Sequence, residues 1–337
     1  MQAYSVALCT YNGAKYISEQ LESIIKQTIP PSQIVISDDG SKDNTIEIVD
    51  TILQSSGIRY QIVHNTTKHG VTSNFQNAFS YCTSPIIFCS DQDDVWVNNK
   101  AEKMLHTYEA HPEAQVVFSD GELVDSNLNL LGCTVWRAVG ITSKRINEGD
   151  WFHYLLKTCL VTGAAMSFKK HLLNDVEEIP VEWLHDGWLT WAAVTHNGLV
   201  PCNERLFYYR QHGNNEVGMA PVYDIKGRIK GWFKKIDAIK EMRRIRYNRY
   251  LSLYNTYRHK FTETQQKEIK KCVSFWGVMI KSEEKSSIKS LFTYCNYLFN
   301  GSYSMYYNGF KGFIRDVLLL FLVRQESSSR INGKTQS

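Results

Sequence analysis

Over its first 120 residues the chain alternates between short β-branched runs and longer amphipathic ones, and this alternation restricts the fold more than any single motif does. Residues 4–10, 33–38, 59–64, 85–90 and 115–119 have the length and composition of strands. Residues 14–27, 44–55, 71–81 and 99–110 carry apolar side chains at helical spacing. Strands joined through helices imply right-handed βαβ crossovers and a mostly parallel sheet covered on both faces.

Each of these strands runs into polar residues: "TYNG", "SDDGS", "HN", "SDQDD" and "SDG", in chain order. Taken singly, such clusters are ordinary turn and cap chemistry, because Asp and Ser accept from free backbone N–H groups and Gly permits positive φ. In an open parallel sheet, however, the C-terminal strand ends face one crevice where ligands bind. Their common edge therefore points to a site. The sharpest cluster is Asp91, Asp93 and Asp94, whose carboxylates raise one another's pKa unless a cation or hydrogen-bond donors compensate. Oxygen ligands of this kind suit Mg²⁺ or Mn²⁺ and leave positions for phosphate oxygens. The first turn, "TYNGAK", lacks the GxGxxG of a dinucleotide-binding domain, and no P-loop follows it. A pyrophosphate bound here is held by something other than a glycine-rich cradle.

With 337 residues and 43% hydrophobic content, the chain can bury a full core and carry an appendage. Its eight cysteines are scattered singly without a CxxC pair, as expected of mostly buried thiols in a reducing compartment. The N-terminus runs almost directly into the first strand, so no signal peptide is expected. The net charge of +4 is uneven: residues 224–260 hold twelve Lys/Arg against three Asp/Glu, a local +9 that leaves the remainder at −5. A polyanion-binding core is thereby disfavoured, and no nucleic-acid partner is expected.

In combination and in order, "VALCTYNGAKYISEQLESIIKQT", "QIVISDDGSKDNT" and "SDQDDVWVNNK" resemble glycosyltransferase family 2, inverting enzymes with the GT-A fold. The resemblance extends from residue 4 to about residue 216. "LHDGWL" at 184–189 and "YYRQHGNNEVG" at 208–218 look like the bacterial subset that includes rhamnosyltransferases of surface-polysaccharide assembly. It implies an α/β fold, the Rossmann-like nucleotide-diphospho-sugar transferase sheet with flanking helices, followed by a helical extension.

The resemblance also implies roles. Thr10, Tyr11, Asn12 and Asp39 line the donor nucleotide, with Asp39 preferred to Asp38 as the base contact. Asp91 and Asp93 match the DxD motif: Asp93 is the metal ligand, Asp91 lies nearer the ribose or a metal-bound water, and Asp94 helps to position either. Asp186 falls where the family keeps its catalytic base, with His185 in place of the usual Glu; capping a helix that begins at Trp188 is the alternative. His212 matches a late histidine that reaches the metal or diphosphate, a structural histidine being the alternative. Arg210 is a further candidate. Gly163, with Ala164, lets a donor sugar approach the backbone, although tight packing explains these small residues equally well.

Beyond Asp224 the character changes. Ile225, Ile229, Trp232, Ile236 and Ile239 recur at helical spacing among Lys226, Lys230, Lys234, Lys235, Lys240, Arg243 and Arg244. This reads as a basic amphipathic helix on anionic lipid, with Trp232 and Phe233 at the interface, or as a solvated helix docked on the catalytic domain. The apolar run 317–323 is far short of the ~20 residues that span a bilayer. The expected organisation is a catalytic domain over 1–220, its donor and metal half ending near 120, then a helical extension over 221–324 and an unstructured tail over 325–337.

The expected activity is metal-dependent, inverting transfer of a sugar to a lipid-linked or growing oligosaccharide of a bacterial surface polysaccharide, at the cytoplasmic membrane face. The donor is dTDP-rhamnose or a UDP-hexose. A metal-dependent sugar nucleotidyltransferase and a non-catalytic membrane-associated binding protein are the rivals.

Overall fold

The structure is a computed structural model that describes residues 2–66, 68–176, 178–212, 236–284 and 288–332. It divides into two compact units, Met1–Gly149 with Cys159–Tyr223, and Asp150–Thr158 with Asp224–Ser337.

The first unit opens with β1 (Tyr4–Thr10), α1 (Ile17–Ile25), β2 (Gln33–Asp38), α2 (Thr45–Gln54), β3 (Tyr60–His64), α3 (Val71–Tyr81) and β4 (Ile86–Ser90). After these come β5 (Val95–Trp96), α4 (Lys100–Ala110), β6 (Val116–Val124), β7 (Leu130–Thr134), α5 (Val135–Val139) and α6 (Ser143–Glu148). Helix α7 (Trp151–Leu155) belongs to the second unit, and the first resumes with β8 (Met166–Lys169), α8 (His185–Thr195) and β9 (Leu199–Arg210).

Strands β1, β2 and β4 are buried at every position, as parallel strands covered on both faces should be. Against them α1 turns Ile17, Leu21 and Ile24, spaced to lie on one helical face. Parallel pairing sets Thr10 beside Asp38, Asp38 beside His64, and Leu8 beside Ser90. The polar strand ends therefore share an edge, as the sequence predicts.

Past β4 the sheet differs from a simple parallel one. Its order is β3-β2-β1-β4-β8-β6-β9-β5, with β7 on β6. Strand β8 enters antiparallel between β4 and β6, and β9 returns parallel to β6. The fifth expected strand does not stop at Ser119 but runs through an irregular register to Val124. "SDG" is consequently no strand end: Asp120 Oδ1 is engaged by the backbone N–H groups of Trp136 and Gly121, each at 2.8 Å. Cys9, Cys82, Cys89, Cys133, Cys202 and Cys272 are buried, in keeping with their scattered placement.

The second unit is helical: α7, α9 (Ile236–Tyr257), α10 (Glu263–Glu284), α11 (Ile288–Phe299), α12 (Ser302–Tyr306) and α13 (Gly309–Asn332). The segment Asp150–Thr158, expected within the catalytic domain, belongs here. Its carbonyls anchor α9: Tyr250 Oη donates to Leu156 O at 2.7 Å and Arg246 Nη1 to Lys157 O at 2.8 Å.

Arg243, expected on a lipid-facing basic surface, is instead buried and donates to Asp316 Oδ1 at 2.7 Å. Ile225, Ile229, Trp232, Phe233, Lys226, Lys230, Lys234 and Lys235 lie outside the described residues. The run 317–323 is part of α13, which continues to Asn332, so residues 325–332 are helical where a tail was expected. Residues 333–337 lie outside the described set. Among the described residues no helix is long and apolar enough to cross a membrane.

Candidate active site

The edge of β1 and β2 is organised around Asp38. Its Oδ1 accepts from Thr10 Oγ1 at 2.7 Å, and its Oδ2 from the N–H groups of Gly40 and Ser41 at 3.0 and 2.8 Å. Asp38 is thus turned inward as a brace, and Thr10, expected to line the nucleotide, has its hydroxyl committed to that brace. Asn12 takes the left-handed conformation, φ 48°, donating its N–H to Ser41 Oγ at 2.9 Å and accepting from Lys42 N at 2.7 Å. Tyr11 is 56% exposed.

Asp39 is held from behind. Asn65 Nδ2 donates to its Oδ1 at 2.7 Å and Gly70 N to its Oδ2 at 2.8 Å, with His69 Nδ1 at 3.1 Å from Oδ1. A fixed, partly exposed carboxylate is a good acceptor for the N–H and O–H groups of a nucleoside.

The loop after β4 is tied to this edge by Gln92, which exchanges two hydrogen bonds with the backbone of Tyr11, at 2.8 and 3.0 Å. A Cβ on Gly13 would meet Gln92 Oε1 at 2.1 Å, so the lone glycine of the first turn makes room for this tie. Asp94 is fully buried, and its Oδ1 accepts from Arg210 N at 3.0 Å. Burial, then the charges of Asp93 and Asp91, pushes its carboxyl well above the usual carboxylate range.

Arg210, a candidate ligand contact, serves as a buttress. Its buried guanidinium donates to Asp93 O at 2.7 Å and Ser126 O at 2.6 Å, pairs with Glu19, and covers the Tyr16 ring at 4.5 Å. Two residues further on, His212 Nε2 meets Asp93 Oδ2 at 2.8 Å, its ring stacked on Tyr16.

Among the described residues no three His, Cys, Asp or Glu side chains converge on one point, so Asp91 does not complete a cluster with Asp93 and His212. The fit to a divalent cation rests on that pair together with an orphaned oxygen in the loop: Asp94 Oδ2 is buried with no hydrogen-bond partner. Carboxylate oxygens with one imidazole suit Mn²⁺ or Mg²⁺.

Asp186 sits in the first turn of α8. That helix starts at His185 after Leu184, so Asp186 is not the cap of a helix beginning at Trp188. Its Oδ2 accepts from Gly163 N at 3.1 Å, which fixes the carboxylate against the turn Gly163–Ala165. His185, beside it, packs against the same glycine. Its buried ring stacks on Phe75 at 3.9 Å, neither ring nitrogen has a hydrogen-bond partner, and burial lowers its pKa to about 3. It is a neutral packing group, not a proton carrier. A Cβ on Gly163 would stand 2.7 Å from His185 Nε2, so tight packing accounts for this glycine.

Two buried groups register acid loop and Asp186 together. The Cys89 thiol is raised by burial, then by Asp91 and Asp186. The Tyr209 hydroxyl is raised by burial, then by Asp94, Asp91, Asp93 and Asp186. The four carboxylates thus share one electrostatic neighbourhood. Gln92, Tyr16 and Lys100 escape the sequence reading, although all three stand inside the stretches that carried the resemblance.

Residues 5–170 match the family described as Glycosyl transferase family 2. The Escherichia coli UDP-Glc:alpha-D-GlcNAc-diphosphoundecaprenol beta-1,3-glucosyltransferase WfgD is 30% identical over 199 residues, covering 59% of this chain and 72% of that protein. The chain belongs to glycosyltransferase family 2. Shigella flexneri dTDP-rhamnosyl transferase RfbG, 27% identical over 246 residues, is aligned across 68% of this family 2 chain and 81% of its own length. The structure of S. aureus TarS 1-349 in complex with UDP-GlcNAc superposes with a TM-score of 0.57 at 15% identity, covering 96% of this chain and 92% of that one. The likeness to TarS is one of fold. This family 2 member is a glycosyltransferase with the GT-A fold expected from its sequence.

Proposed function

We propose that this glycosyltransferase builds a bacterial surface polysaccharide, transferring one sugar with inversion from a nucleoside-diphosphate donor to a lipid-linked or growing oligosaccharide. The names of RfbG and WfgD support dTDP-rhamnose and UDP-hexose as donors, in that order, and WfgD's name supports a lipid-diphosphate acceptor. The carrying observation is that β8 pairs antiparallel with β4, Ser167 beside Phe88, which sets the turn that holds Asp186 at the strand end where the acid loop begins; transfer needs a leaving diphosphate and an attacking hydroxyl on either side of one carbon.

In this reading Asp39, fixed by Asn65 and Gly70, accepts hydrogen bonds from the nucleoside. Asp93 and His212, which meet at 2.8 Å, would hold a divalent cation, Mn²⁺ or Mg²⁺, with Asp91 nearer the ribose. When bound, the cation offsets charge developing on the departing diphosphate. Asp186, oriented by Gly163 N–H, accepts the proton of the acceptor hydroxyl as its oxygen bonds to the anomeric carbon. Attack opposite the leaving group inverts that carbon in one displacement, with no enzyme nucleophile.

A lipid-linked acceptor brings the protein to the cytoplasmic face of the membrane. Supporting this, Phe292, Phe299 and Phe310 are 72%, 86% and 61% exposed in the second unit, and residues 288–314 contain Lys289 and Lys311 but no Asp or Glu. Exposed aromatics among cations suit an anionic lipid surface.

The test is Asp186→Asn, assayed against dTDP-, UDP- and GDP-sugars with and without Mn²⁺. Transfer should fall about 10²–10⁴-fold, the usual share of a general base. Donor-induced stabilisation, about 2.7 kcal/mol at a hundredfold the Kd, should persist. Transfer at the native rate removes Asp186 as the base.

A further inference from the structure

We infer that Lys100 is a positioning residue for Asp186, acting through the carbonyl of Ala164. This rests on the reading of Asp186 as the base.

The turn Gly163–Ala165 is where the two meet. Gly163 donates its N–H to Asp186 Oδ2 at 3.1 Å, and the next residue, Ala164, accepts at its carbonyl from Lys100 Nζ at 2.7 Å. The turn therefore has the base on one peptide group and a lysine amine on its neighbour. A shift of either group moves the other, because one short turn carries both.

Lys100 is an unusual residue for its place. It opens α4, it is fully buried, and its Nζ lies 4.4 Å from the Trp96 ring centre and 4.6 Å from that of Phe207. A methionine of similar length would occupy such surroundings without the cost of a buried amine. What methionine lacks is the donor to Ala164. Burial pulls the amine down to about 7, against the opposing charges of Asp94, Cys89 and Asp91. The hydrogen bond survives either protonation state, since a neutral amine still donates. Positioning is thus independent of the charge on Lys100. Without the amine, the buried Ala164 carbonyl loses its donor, and the turn can relax away from Asp186.

The test is a double-mutant cycle. Lys100→Met keeps the stem and removes the amine. We expect kcat to fall about ten- to hundredfold, the scale of a small misplacement, with donor KM and the donor-induced melting shift near native. In an Asp186→Asn background, followed through residual transfer, Lys100→Met should cost nothing further, because its effect passes through the carboxylate that is gone. Equal losses in both backgrounds overturn the inference, as does a native kcat for Lys100→Met. An Asp186→Asn protein that transfers normally identifies a different failure, that of the base assignment. Should Lys100→Met not fold, Lys100→Gln, which shortens the reach to Ala164, enters the same cycle under the same criteria.

Discussion

His212 Nε2 stands 2.8 Å from Asp93 Oδ2 although 119 positions separate them, the ring steadied by Tyr16 at 5.0 Å. An imidazole and a carboxylate from two different strand ends thus meet beside a loop rich in negative charge. His212→Ala should weaken the Mn²⁺ dependence of donor binding at least about tenfold, within the range known for groups that tune a metal site. Titrating Mn²⁺ at fixed nucleotide sugar and following the melting temperature measures this. An unchanged midpoint means that His212 only packs.

Gly163 and His185 form a second pair in close approach. A Cβ at position 163 would lie 2.7 Å from His185 Nε2, and the ring, stacked on Phe75 at 3.9 Å, has little room to retreat. Gly163→Ala should destabilise by about 1–3 kcal/mol, the usual cost of overpacking, and should depress transfer by displacing Asp186. Adding His185→Ala should restore part of the activity. Denaturant midpoints and rates for the single and double variants decide it, and no relief in the double variant argues against the clash.

How much of this was legible beforehand depended on the range of the interaction. The limits of β1, β2 and α3 could be read because buried strand runs and a helical apolar stripe are local patterns. The entry of β8 between β4 and β6 could not, since "MSFK" offers four residues and its pairing is decided by distant strands. The same limit applies to the site. Asp93 and Asp186 were found through a resemblance, whereas the bond from Lys100 to Ala164 spans 64 positions and leaves no periodic trace. Arg243 misled for the same reason: its density among other cations is local, but its partner Asp316 lies 73 positions away.

Stability in acid should carry the signature of His185. Burial lowers its pKa to about 3 in the native protein, from an ordinary value near 6.5. Between those values the unfolded chain takes up a proton that the native ring refuses. Stability is therefore fully present above about pH 6.5 and falls as pH drops toward 3, by about 1.4 kcal/mol per pH unit. His185→Leu removes the group, so its loss between pH 7 and pH 5 should be smaller by about 2 kcal/mol. Urea midpoints at the two pH values test this, and equal losses in both proteins rule out the buried neutral ring as the cause.

The buried pair in the second unit gives a contrast between two neighbouring arginines. Arg243 and Asp316 are 1% exposed at their side chains and 2.7 Å apart; Tyr303 Oη donates to the second carboxylate oxygen at 3.0 Å, and Arg315 Nε lies 3.8 Å from the first. Arg243→Met would strand a buried carboxylate, at a cost of about 3–5 kcal/mol. Removing both charges in Arg243→Met/Asp316→Leu should recover much of that, because the desolvation penalty goes with the pair. Arg244 is 60% exposed at its side chain and 3.8 Å from Glu241, so Arg244→Met should change stability by less than about 1 kcal/mol. Thermal unfolding of the three variants separates the two roles. If Arg243→Met melts like the native protein and only its lipid-vesicle binding falls, Arg243 faces solvent and the buried pair is refuted.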